Sequence, residues 1–121
     1  MGDAMNRMTC LAVAGCAAAG AALAQEPPQG IFQWNGCTDL SEYVDTRVEI
    51  DGNRIAVHEG ACRLTNPVAI RDMEDAYLYD GECWVEGSQL TERFMIMPGH
   101  GGRLVVVQEG RALTYEYCGP G

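Results

Sequence analysis

Apolar and polar residues alternate along most of the chain beyond residue 30, and this period of two predicts β-strands. In the first clear run, Val48 and Ile50 are followed, across the turn Asp51-Gly52-Asn53, by Ile55 and Val57. Asp-Gly and Gly-Asn both suit a two-residue hairpin turn, because both accept positive φ. Either turn places the four apolar side chains on one face, whereas a three-residue loop would not.

A second hairpin is predicted around Cys62 and Cys83. An alternating run begins at Cys62, a charged break follows at residues 71–75, and the return strand ends at Val85. One register sets the two cysteines opposite each other and also pairs Arg63 with Glu82, Leu64 with Gly81 and Val68 with Tyr77. The sequence therefore predicts a disulfide between Cys62 and Cys83.

Three further strands are predicted at residues 90–97, 103–108 and 111–118, joined by short turns. Their predicted register pairs Ile96 with Leu104, Phe94 with Val106, Val106 with Leu113, Leu104 with Tyr115, and Arg103 with Glu116. A short first strand is predicted at 31–34, and a turn of helix at 38–45. We expect an all-β fold, an antiparallel meander of six to eight strands that forms a small barrel or a curled sandwich.

The first 24 residues are predicted to be a signal peptide. The run 8–24 carries no charge, follows Arg7 and ends in Ala22-Leu23-Ala24, which suits signal-peptidase cleavage. Residues 25–30 then form a linker and residues 31–121 one β-domain, in the periplasm or secreted. A transmembrane anchor is one alternative. The other is a lipoprotein, in which the lipobox-like stretch 13–16 leads to lipidation of Cys16 and hence to a membrane.

Four cysteines follow residue 24, and in a small exported domain they predict two disulfides. If Cys62 bonds to Cys83, Cys37 is left to bond to Cys118 and to tie the two ends of the domain together. The alternative pairs Cys37 with Cys62 and Cys83 with Cys118. The cysteines are too widely spaced for a Cys-x-x-Cys zinc site, so no metal is predicted.

The formal net charge is −9, and the chain has no lysine. This balance argues against a nucleic-acid partner and against electrostatic binding to an anionic membrane. The two histidines, His58 and His100, lie in no recognisable catalytic motif, and the acidic run 72–82 lacks the spacing of a calcium loop. No catalytic residue, metal or cofactor is predicted, and His100 stays as a candidate binding residue in a glycine-rich loop.

Glu92 is a candidate binding residue on the apolar face of the predicted sheet. The predicted registers place it beside Phe94, across from Cys83 on one side and from Gln108 on the other. A carboxylate there is costly unless it is paired or lies at a rim. Glu92 is therefore either a rim residue or a polar anchor for a ligand inside the barrel.

The opposite face carries apolar side chains next to a charged row, and its candidate binding residues are Trp84, Met95 and Arg93. An apolar patch with aromatic, Met and Arg residues is typical of a surface that binds a protein partner. The alternative is that this face packs under the N-terminal segment.

Several short motifs indicate that the chain resembles known proteins. They are Glu-x-x-Cys at 59–62, Gly-Glu-Cys at 81–83, Cys-x-x-Glu-Gly at 83–87 and the closing Tyr-Glu-Tyr-Cys at 115–118. In these the chain resembles a group of small exported bacterial proteins of unknown function with a four-cysteine β-meander. The architecture is also similar to that of periplasmic lysozyme inhibitors. The resemblance implies export and a β-fold, and it supplies no catalytic residues.

We expect an exported, non-catalytic binding or accessory domain of the cell envelope that recognises a protein partner. One alternative is a carrier that holds a small apolar ligand in the barrel interior near Glu92. Another is an inhibitor of a basic enzyme such as lysozyme.

Overall fold

A computed structural model describes residues 26–42 and 44–121, and eight antiparallel strands in this part of the chain close into one barrel. The predicted signal peptide and Cys16 lie outside the described residues. The strands are β1 (Gly30–Gln33), β2 (Arg47–Asp51), β3 (Arg54–Val57), β4 (Gly60–Ala69), β5 (Tyr77–Val85), β6 (Ser88–Pro98), β7 (Leu104–Gln108) and β8 (Arg111–Gly119), with a short 3-10 turn at His100–Gly102 between β6 and β7.

Each strand pairs with the next, and β1 also pairs with β8, which closes the barrel. Because successive strands run in opposite directions, the β3–β4, β5–β6 and β7–β8 turns share one end of the barrel with Trp34. We call this the Trp34 end. The all-β meander, its eighth strand and its closure are confirmed.

Both predicted disulfides are present. Cys62 bonds to Cys83 within the β4–β5 hairpin, and Cys37 bonds to Cys118, 81 residues away in sequence. Two disulfides indicate an oxidising environment, such as the periplasm or the extracellular space. No helix in the described ranges is long and apolar enough to cross a membrane.

The barrel interior is filled by side chains that point inward from all eight strands. Leu104 is fully buried, and the Cys62–Cys83 bond lies within the same core. Gly81 lies flat against the ring of Phe94, since a Cβ at this position would come within 2.5 Å of that ring. An eight-stranded barrel is just wide enough for side chains to fill, and this one follows that rule.

The predicted register of β4 with β5 is confirmed from Cys62 to Leu64 and is wrong at Val68. A bulge between Thr65 and Val68 shifts the ladder, so that Val68 faces Leu78 and not Tyr77. Asn66 adopts a positive φ of 52° at the bulge, and Pro67 has no N–H for a ladder bond. The shift turns Val68 to the outside of the barrel.

Two other predicted registers are wrong by two residues. Glu86 and Gly87 form a two-residue turn with positive φ, so Cys83 faces Leu90, and Glu92 faces Gly81. Farther along, a tighter turn before β7 makes Ile96 face Val106 and leaves Leu104 opposite Pro98. The predicted pairs of β7 with β8, Leu104 with Tyr115 and Val106 with Leu113, are confirmed.

The described residues of the predicted helical turn at 38–45 form turns and no helix. The Asp39 carboxylate accepts hydrogen bonds from both the backbone N–H and the hydroxyl of Ser41, which favours a turn over a helix. The segment covers Gln33, whose side-chain oxygen accepts bonds from the Thr38 N–H (2.9 Å) and hydroxyl (3.1 Å). The Cys37–Cys118 bond holds the segment against β8.

Alkaline pH should destabilise the barrel through Tyr79. Burial raises the pKa of this phenol from 10.0 to about 12, with a smaller contribution from Tyr77. The folded state favours the neutral phenol, so its contribution is complete below pH 10 and is lost as pH rises toward 12. Tyr79→Phe should reduce the loss of unfolding free energy over this range, measured by urea denaturation.

Tyr117→Phe, at a side chain that is 48% exposed, is the matched control. It should show the same loss of unfolding free energy at alkaline pH as the wild type. Burial also raises the pKa of Tyr115, so some loss should persist in Tyr79→Phe. Identical pH profiles for wild type and Tyr79→Phe would contradict the prediction.

Candidate functional site

The outer surface of the barrel carries an apolar row that crosses four adjacent strands. Val68, Leu78, Met95 and Val107 are joined side by side by the registers of β4 through β7. Val68 is 57% exposed, and the other three are half-buried. We call these four residues the outer apolar row. The bulge in β4 completes it, because it is the bulge that brings Val68 to the outside.

Trp84 lies on the same outer face, 47% exposed, but it does not contact the outer apolar row. Trp84 lies six positions beyond Leu78 along β5, which corresponds to about 20 Å at the rise of a strand. Two ion pairs occupy the space between them: Arg63 with Glu82 at 2.6 Å and Arg93 with Asp80 at 3.0 Å. The face is therefore a charged centre with an aromatic anchor on one side and an apolar row on the other.

Asp80 is the most constrained carboxylate of this charged centre. A hydrogen bond from the Asn66 side chain (2.9 Å) and the charge of Arg93 hold its pKa below the ordinary value. The Arg93 Nε donates to one carboxylate oxygen and the Asn66 amide to the other. Asp80 thus fixes Arg93, one of the predicted binding residues, in the middle of the face.

Glu92 points inward, as predicted, but lies where β6 and β7 separate toward the Trp34 end. Its Oε1 accepts a hydrogen bond of 2.6 Å from the Gln108 side chain, and Gln108 in turn accepts one from Arg111. These residues line an open groove of about 850 Å³ between β6 and the β7–β8 turn. Glu92 is thus a half-buried, paired rim residue next to a polar groove.

Sequence reasoning missed a cleft at the Trp34 end. It measures about 440 Å³, and its apolar lining includes Trp34, Val57, Leu113 and Tyr115. Trp34 directly follows β1, Val57 ends β3, and Leu113 and Tyr115 lie within β8, and no local pattern brings these residues together. The signal in the sequence was only that the short first strand, predicted at 31–34, ends in a Trp.

The two histidines lie at opposite ends of the barrel. His58 stands at the Trp34 end, with Nδ1 3.6 Å from Asp45 and Nε2 3.1 Å from Glu59. His100 begins the 3-10 turn after β6, where its carbonyl accepts a bond from Arg103. His100 therefore lies apart from Trp84, Arg93 and Glu92, and it has a role in shaping the loop. Among the residues that the structure covers, no cluster of three or more His, Cys, Asp or Glu could hold a metal.

No protein-family model, curated protein or solved structure matches this chain. Of the features that the predicted resemblance implies, the structure shows an antiparallel β-barrel with two disulfides in this chain.

The Glu92–Gln108 bond yields a stability prediction. Gln108→Ala leaves the half-buried carboxylate without its donor and should lower the unfolding free energy by about 1–2 kcal/mol. Glu92→Gln keeps an acceptor oxygen for Gln108 and should change the unfolding free energy by less than about 0.5 kcal/mol. Chemical denaturation measures both, and an equal loss in the two variants would show that the charge of Glu92 stabilises the barrel.

Proposed function

We propose that the protein is an exported, non-catalytic binding domain that recognises a protein partner with the outer surface of β4, β5 and β6. The observation that carries the proposal is the filled interior. Phe32, Ile50, Ile55, Ile96 and Leu104 are each at most 1% exposed, so the barrel core holds side chains where a carrier would hold its ligand. Recognition is then left to the surface.

The outer surface has the composition of a protein-binding site. Trp84 supplies a large exposed aromatic side chain, and Met95 and Leu78 supply a flexible apolar area. Trp and Arg are enriched among the residues that dominate binding energy, and such anchors are surrounded by polar contacts. The Arg63–Glu82 and Arg93–Asp80 pairs give this surface its polar part.

The overall charge favours a basic partner. The chain carries a net charge of −9, which speeds the approach of cationic surfaces and repels acidic ones. Inhibition of a basic enzyme is one form that such binding can take, and lysozyme activity in the presence of the domain is a direct assay for it.

Trp84→Ala should abolish capture of the native partner while leaving thermal stability nearly unchanged. Trp34→Ala is the matched control, since Trp34 is 41% exposed at the barrel mouth and away from the proposed surface. The measurement is capture of partners from a cell-envelope extract by immobilised domain (residues 25–121), with mass spectrometry of the proteins retained by each variant. A large loss of stability in Trp84→Ala, or equal capture by both variants, would contradict the proposal.

A second candidate function, binding of a small amphiphilic anion, is favoured by the cleft at the Trp34 end. Its volume of about 440 Å³ lies within the usual range of ligand sites. Arg47 and Arg111 line it together with one acidic residue, Asp45, so the lining is positive in a strongly acidic protein. The apolar part of such a ligand would lie on Leu113 and Tyr115. Its anionic group would lie toward Arg47 and Arg111.

Anilinonaphthalene sulfonate, an aromatic anion, tests this second candidate. In Trp84→Phe, Trp34 is the one remaining tryptophan, and bound dye should quench it by energy transfer. Adding Arg111→Gln should weaken dye binding several-fold, whereas Arg71→Gln, at a side chain 94% exposed on the opposite end, should not. Dye fluorescence that is equal in all variants would exclude the cleft as the site that binds the dye.

A further inference from the structure

The barrel wall is incomplete beside the first half of β6. β6 pairs with β5 at nine registered positions between Ser88 and Ile96. With β7 it pairs at only four, which begin at Met95. β7 itself ends at Gln108, where the chain turns into β8. Residues 88–94 of β6 therefore have a neighbouring strand on one side only.

The direction of the backbone groups along this edge follows from the turn at the other end of β6. There the Gly99 N–H donates to the Arg103 carbonyl at 2.8 Å, in the same register as Met97 with Val105. Backbone groups of an antiparallel strand face alternate sides with a period of two. Arg93 and Thr91 must then point their N–H and C=O groups to the side of β7, where the ladder has ended.

The space beside these groups is open. The groove of about 850 Å³ lies there, bounded by Thr91 and Arg93 on β6 and by the β7–β8 turn. The Glu92–Gln108 side-chain bond forms its inner boundary. An added strand lies about 4.8 Å from its neighbour, and the groove is large enough for several residues of extended chain. A row of free N–H and C=O groups is a template for such a strand.

We propose that the edge at Thr91 and Arg93 is a strand-addition site, at which β6 pairs with an extended, basic segment of the partner protein. The proposal rests on the proposed binding function and names where and how the partner is held. Asp80, Glu92 and Glu109 outnumber Arg93 and Arg111 in the groove lining, so a basic segment is complementary to it. The net charge of −9 on each chain opposes occupation of the edge by a second copy.

Thr91→Pro tests the edge selectively. Proline removes the outward N–H of residue 91 and leaves the ladder with β5 intact, because that ladder uses the backbone groups of Leu90 and Glu92. Thr91→Val keeps the N–H and is the matched control. The probe is a fluorescein-labelled peptide of alternating Arg, Val and Thr residues, and binding is read by fluorescence polarisation.

We expect Thr91→Pro to weaken peptide binding at least about tenfold, and Thr91→Val to change it less than about twofold. Circular dichroism and thermal melting establish that both variants are folded. Methylating alternate backbone nitrogens of the peptide should abolish its binding to the wild-type protein. This second test requires no variant of the protein. Unchanged binding by Thr91→Pro, or full binding of the methylated peptide, overturns the proposal.

Amide hydrogen exchange gives an independent readout on the wild-type chain. In the free protein, the amides of Thr91 and Arg93 should exchange faster than those of Leu90 and Glu92, and the peptide should slow them. Protection of Thr91 without peptide overturns the proposal. So does a concentration-dependent dimer in sedimentation equilibrium that Thr91→Pro abolishes, because a second copy would then occupy the edge.

The binding function and the strand-addition site can be disproved separately. If Trp84→Ala abolishes partner capture but Thr91→Pro captures the partner like the wild type, the binding function stands and the strand-addition site is wrong. If neither the partner nor the peptide binds the wild type, both are wrong.

Discussion

The buried bond between Cys62 and Cys83 fixes the register on which the rest of the barrel depends. It links two strands of the core directly, and the neighbouring pairs follow from it, with Leu64 against Gly81 inside and Arg63 against Glu82 outside. A slip of one residue would turn every side chain of a strand to the other face. The bond therefore determines which residues of β4 and β5 fill the core and which form the outer surface.

The sequence predicted the face of most side chains correctly and often mispredicted their neighbours. Both wrong turns, after Val85 and after Pro98, changed the register by two residues, and a shift of two leaves the inward and outward sets unchanged. Glu92 thus points inward as expected, yet it lies opposite Gly81. The error came from Glu86, which adopts a positive φ that its side chain does not favour, so no local preference signalled the tight turn.

Features that depend on distant parts of the chain were harder to predict. The outward direction of Trp84 and Met95 followed from alternation, and the pair of Arg63 with Glu82 was predicted from the β4–β5 register. The pair of Arg93 with Asp80 was not predicted, because it depends on the β5–β6 register that the sequence mispredicted. The cleft at the Trp34 end is built from residues that are far apart in sequence. The open edge of β6 exists only because β7 is shorter than β6, and strand ends are poorly determined by sequence pattern.

The Cys37–Cys118 bond has a topological consequence. It closes residues 37–118 into a covalent ring that contains seven of the eight strands, and only β1 stands outside it on the N-terminal side. A machine that unfolds proteins by pulling on the chain must thread two chain segments at once when it reaches this ring. While the bond is oxidised, pulling from either side meets this covalent ring, and after its reduction the smaller ring that Cys62–Cys83 closes around the β4–β5 turn still remains.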